Sequence, residues 1–148
     1  MPLLHSAKQN QILGALPPAE YTRLLPFLEL VNIPLGEVIY EPYARINRLY
    51  FPISSIVARV YETESGFSRQ VSMIANEGIS DSFLLLGCEA TPAAVIVQSG
   101  GFGYEVKSSI LKKEFDSGGV LQQLLLRFNQ ALLRGRKVTS GERSDRIS

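Results

Sequence analysis

Between Leu30 and Val106 the apolar residues come in short runs, several alternating with polar ones, and turn signals separate them about every eight to twelve residues. No helix of useful length fits that rhythm. Leu30–Pro42 reads as two short strands around a Pro34–Gly36 turn, and Arg48–Phe51 as a third. After a turn at Pro52–Ser55, Ile56–Glu62 and Ser68–Ile74 alternate across a hairpin turn at Glu64-Ser65-Gly66, with Val71 and Met73 on one face. Ala93–Gln98 and Gly101–Val106 complete the series. Tyr40, Tyr43, Tyr50 and Phe51 read as strand residues of a half-buried sheet. Such a series predicts a small sandwich or jelly roll.

Helical periods are confined to the flanks. Gln9–Leu16 carries Ile12, Leu13 and Leu16 on one face. Ala19–Leu28 follows Pro17-Pro18, has Leu24, Leu25 and Leu28 as its stripe, and should kink or end at Pro26. Ser82–Leu86 reads as a short helical turn, and Ser108 as the N-cap of a helix over Ile110–Phe115. Gly118-Gly119 breaks that helix. The longest helix then runs over Val120–Leu133, with Leu121, Leu124, Leu125, Phe128 and Leu132 in one stripe. Leu126 and Leu133 lie off the stripe, so the apolar face is wider than one partner needs; that favours packing against the strands together with a second subunit. Residues 1–8 read as a loose lead-in and residues 134–148 as a disordered tail.

The 148 residues suit one domain, here 1–133, around one core. The tail carries five basic residues against two acidic ones, hence +3, and the rest carries −2 of a net charge of +1. A body of that sign does not attract nucleic acid non-specifically, and a charged tail without a folded reader confers no sequence specificity. Cys88 is the single cysteine and Met1–Gln11 lacks a secretory pattern, so a cytoplasmic protein without disulfides is expected. No window approaches the ~20 apolar residues of a membrane span. No His, Cys and carboxylate pattern suggests acid–base, nucleophilic or metal chemistry, so no catalytic residue, metal or other cofactor is expected.

The stretch best suited to a small ligand is Asn76–Val97, where Gly78 precedes a short apolar turn, a polar loop and a buried strand. Backbone N–H groups opening a helical turn favour an anion. No arginine or lysine lies within the stretch, so an anion there would meet amides and hydroxyls but no guanidinium. By the same lack of a basic neighbour, Cys88 reads as a buried structural thiol.

Leu35–Pro42 (LGEVIYEP), Ile46–Pro52 (INRLYFP), Ser54–Val57 (SSIV), Val71–Gly78 (VSMIANEG), the FLLLG ending at Gly87 and the LLLRFNQALL ending at Leu133 together resemble the effector domain of Crp/Fnr-type transcription regulators. The resemblance runs from about Asn10 to Leu133. It implies a mainly β fold with flanking helices, a cyclic-nucleotide-binding-like β-roll (a double-stranded β-helix or jelly roll) followed by a long C-terminal helix. It also implies a homodimer through that helix and a regulatory, non-enzymatic role.

The departures from that family are specific. Its phosphate cassette reads roughly G-E-[LIV]-[AG] and, after a loop, R-[ST]-A; the glutamate holds the ribose hydroxyl and the arginine the cyclic phosphate. Here the glycine falls on Asp81, the glutamate on Ser82 and the arginine on Thr91, followed by Pro92 and Ala93. A carboxylate at Asp81 would repel a phosphate ~4 Å away by a few kcal/mol, so cAMP or cGMP binding is not expected. Iron–sulfur sensing needs a cysteine cluster, and a cupin metal site needs more than His5. The family's helix-turn-helix has no counterpart after Leu133, so direct DNA binding by this chain is not expected.

Two readings of Gly78, Ile79, Ser80, Asp81, Ser82, Thr91, Pro92 and Ala93 stay open: a degenerate pocket for an unknown small-molecule effector, or a loop satisfied by its own hydrogen bonds, with Ser80 or Asp81 as a cap. The alternative to a sensor is a ligand-free dimerisation domain of a truncated regulator.

Overall fold

The computed structural model describes residues 6–62, 68–88, 90–135 and 137–140. Ser6 opens the chain with a capping box that starts a 3-10 turn at Ala7–Gln9, within the expected lead-in. Helix α1 spans Gln11–Gly14 and α2 spans Pro18–Leu24; Pro26 ends the latter in a 3-10 turn at Leu25–Phe27. Strands follow at β1 (Glu29–Ile33), β2 (Val38–Tyr40), β3 (Arg48–Pro52), β4 (Ile56–Glu62) and β5 (Ser68–Ile74). After a 3-10 turn at Leu84–Leu86 come β6 (Ala94–Ser99), β7 (Gly101–Lys107), α3 (Ser108–Asp116), α4 (Val120–Gly135) and β8 (Lys137–Ser140).

The strands form two antiparallel sheets, one ordered β1-β7-β3 and the other β2-β6-β4-β5-β8. The Pro34–Gly36 turn therefore does not close a hairpin. Gly36, at φ +86, carries the chain from the three-stranded sheet to the edge of the other. Alternation in β3 sends Leu49 and Phe51 inward at 0% exposure, where Val57, Ile74, Val95 and Val97 meet them from the second sheet. In β5 it is Ser72 and Ile74 that face inward, while Val71 and Met73 share the outer face. Leu121 and Leu125 of α4, with Leu111 and Phe115 of α3, close the core.

Asn10 ties the N-terminal turns to the rolls. Its Oδ1 accepts from the backbone N–H groups of Ile12 and Leu13, and its Nδ2 donates to the carbonyls of Pro52 and Gly78. All four hydrogen-bonding positions of this fully buried amide are used.

Three sequence expectations are corrected. Tyr43 is no strand residue: it sits in a turn at φ 63, 70% exposed. Ser108 does not cap α3 but begins it, and its hydroxyl donates to the Ile46 carbonyl; Lys107 holds the cap position without a side-chain bond. Lys137–Ser140, read as disordered tail, pairs with Ser68–Val71 as β8 because the outer edge of β5 offers a ladder to a segment containing Val138 and Thr139. The expected Glu64-Ser65-Gly66 turn and residues 141–148 lie outside the described residues. Among the described residues, no helix is long and apolar enough to cross a membrane.

Candidate functional site

Gly78 to Ser82 follow β5, and all five are buried. Gly78 is fixed by α4: a Cβ here would overlap the Phe128 ring. Ile79 is a core residue at 0% exposure. The Ser80 backbone N–H donates to the Tyr50 carbonyl, and Ser80 Oγ accepts from the Tyr50 N–H at 3.0 Å and lies 2.8 Å from the Tyr40 hydroxyl. Tyr40 donates its one proton to the Arg48 carbonyl at 2.5 Å, so Ser80 is the donor toward Tyr40. Burial raises the Tyr40 pKa well above that of a free tyrosine, which keeps this relay neutral. Ser82 donates to Asn129 Oδ1 of α4 at 3.0 Å.

Asp81 is 2% exposed. Its Oδ2 accepts from the N–H of Leu84, the first residue of the Leu84–Leu86 turn, at 3.2 Å. Its Oδ1 lies 3.8 Å from Arg59 Nε. Arg59 comes from β4, the middle strand of its sheet, and belongs to no motif legible in the sequence. Alternation places it on the same face as Val57 and Tyr61. The guanidinium missing from Asn76–Val97 thus arrives across the fold. Its central carbon lies 4.4 Å from the centroid of Phe83 and 5.7 Å from that of Tyr61. Burial raises the Asp81 pKa, and the opposing pull of Arg59, at a separation too long for a hydrogen bond, does not reverse this.

Beside Arg59 opens a cavity of about 280 Å³ between β4, the loop after the Leu84–Leu86 turn and the end of α4. Thr91 and Pro92 line it, together with Tyr61, Phe83, Ala90 and Leu133. Ala93 and Gly78–Ser82 are buried and are not among the lining residues, so of the eight expected positions Thr91 and Pro92 alone line the cavity. Cys88 is exposed on this cavity rather than buried, because Gly87 at φ +102 turns the chain outward just before it. The sequence signal for Arg59 is its place in the alternation of Ile56–Glu62, a cation in register with Val57 and Tyr61.

Of the dimer-stripe residues, Leu121 and Leu125 are spent on the core, while Leu124, Phe128 and Leu132 are half-buried. Phe128 and Leu132, with exposed Ala131 and Met73, line a hollow of about 140 Å³ between α4 and β5. Among the described residues, no group of His, Cys, Asp and Glu could hold a metal ion.

No protein-family model and no curated protein matches the chain. Solved structures do. The sensor domain of the transcriptional regulator DNR from Pseudomonas aeruginosa superposes with a TM-score of 0.63 at 15% identity, covering 86% of this chain and 85% of that one. The N-terminal domain of a transcriptional regulator from Streptomyces coelicolor gives 0.60 at 15% identity, over 86% and 90% of the two chains. The Thermus thermophilus catabolite activator protein gives 0.64 at 14% identity, covering 83% of this chain and 58% of that one. At such identities the likeness is one of fold, and the chain has the fold of the cyclic nucleotide-binding domains of Crp/Fnr-type transcription regulators.

Proposed function

We propose that this chain is the sensor domain of a transcription regulator, that it dimerises through α4, and that it does not bind cAMP or cGMP in the way its fold family does. The sensor and N-terminal regulator domains among its structural neighbours support a regulatory role over a catalytic one. The observation that carries the loss of nucleotide binding is the Asp81–Arg59 pair. A carboxylate belonging to the chain already faces the guanidinium of this site, with 2% of its side chain exposed, and the aligned glutamate and arginine positions are Ser82 and Thr91. A phosphate entering there meets a like charge and a cation already committed.

A cytoplasmic setting agrees with a lone cysteine. DNA contact has no part in this reading, in which α4 is followed by the short strand β8. One observation favours the second reading, a ligand-free pairing domain: Ser80, Asp81 and Ser82 all have hydrogen-bond partners within the protein. Calorimetric titration with cAMP and cGMP tests the first. No heat of binding is expected up to millimolar nucleotide, a range that corresponds to about −4 kcal/mol; micromolar binding of either nucleotide would refute the proposal.

A further inference from the structure

We propose that the cavity beside Arg59 is a binding site for a small, uncharged aromatic molecule and discriminates against anions. This rests on the reading that the cassette does not take a cyclic nucleotide. At about 280 Å³ the cavity sits at the lower end of small-molecule sites, which run from roughly 300 to 1,000 Å³. That is ample room for one or two fused rings.

The lining gives the chemistry. Tyr61, Phe83, Pro92 and Leu133 supply aromatic and aliphatic walls, and Thr91 supplies a hydroxyl able to meet one polar group on a ring. Among the described lining residues Arg59 carries the one charge, and it is 8% exposed, with Phe83 and Tyr61 over its guanidinium and Asp81 behind it. A carboxylate or phosphate from solution has to compete with Asp81 for that guanidinium. Where it wins, Asp81 remains as a buried anion deprived of its counter-charge, the costly outcome of splitting a buried pair. An uncharged ring leaves the pair intact and gains the stacking surfaces. Selectivity against anions is thus built in by Asp81, through repulsion as much as through occupancy.

The test is calorimetric titration of the whole chain with indole and with indole-3-carboxylate, alongside the variants Asp81→Asn and Ala90→Trp. Indole is expected to bind the natural protein at least about tenfold more tightly than indole-3-carboxylate does, and in Asp81→Asn that gap should close or reverse. Ala90 is exposed on the cavity wall, so Ala90→Trp should abolish indole binding with an unchanged circular dichroism spectrum. The proposal is overturned if indole does not bind, if the carboxylate binds the natural protein as tightly, or if Ala90→Trp binds indole unimpaired. Should Asp81→Asn fail to fold, the natural protein and Ala90→Trp still decide it. A parallel cAMP titration separates the two proposals: cAMP binding defeats the reading of a closed cassette, whereas failure of indole without cAMP binding defeats this inference alone.

Discussion

Asp81 is a buried carboxylate whose charged form is costly to the fold. Burial raises its pKa, so the folded protein holds this proton more tightly than the unfolded chain does. The sign follows: stability falls as pH rises from the ordinary carboxylate range through the raised folded value, and stays lower above it. Asparagine at this position cannot titrate. Urea midpoints measured from pH 3 to 7 should therefore show the natural protein losing stability relative to Asp81→Asn as pH increases, on top of a constant offset from leaving Arg59 without its carboxylate. A difference that grows in the opposite sense would mean that attraction to Arg59 outweighs desolvation.

At the scale of elements, α4 is set by what meets its start. The Glu20 carboxylate of α2 accepts from the N–H groups of Val120 at 2.9 Å and Leu121 at 3.0 Å, bringing a negative charge to the positive end of a 16-residue helix. The approach needs a glycine at 119, where a Cβ would fall 2.7 Å from Glu20 Oε2. The hydrophobic period of Val120–Leu133 was legible in the sequence, as were the strands, because both depend on local spacing. The cap was not: acceptor and donors lie about a hundred residues apart, and nothing local to Gly118-Gly119 announces a carboxylate from α2. Removing the carboxylate in Glu20→Ala should cost about 0.5–2 kcal/mol in urea unfolding, the range of a helix N-cap. Glu20→Gln, which keeps an acceptor, should cost less. Equal costs for the two variants would show that charge rather than hydrogen bonding holds the helix end.

Across the whole molecule the same division holds. The roll can be anticipated from short strands and regular turns, but which strands share a sheet cannot, and so Asp81 stands out locally and Arg59 does not; only the crossing of the β5–β6 loop over β4 brings them together. The quaternary expectation is likewise split by the fold. Leu121 and Leu125 cannot reach a second subunit, since the core holds them at 0% and 1% exposure. What remains for a partner is the C-terminal half of the stripe, Phe128 and Leu132, flanked by Ala131 and by Met73 at 46% exposure. An apolar surface shared by a helix and the neighbouring strand fits an isologous two-fold contact, in which the same patch meets itself. Ala131 is the position to test, because it is exposed and contributes nothing to the core, so a charge there spares the monomer. The natural protein should elute as a dimer in size exclusion with light scattering, and Ala131→Glu as a folded monomer with an unchanged circular dichroism spectrum. Burying two symmetry-related glutamates against each other costs several kcal/mol, enough to shift a micromolar dimer beyond detection. A natural protein that is monomeric would remove α4 as a dimer helix, and an Ala131→Glu dimer would move the contact to the opposite flank, where Leu126 and Leu133 stand 40% and 46% exposed. In that second case the partner would border the Arg59 cavity through Leu133, and dimerisation and ligand access would become one equilibrium.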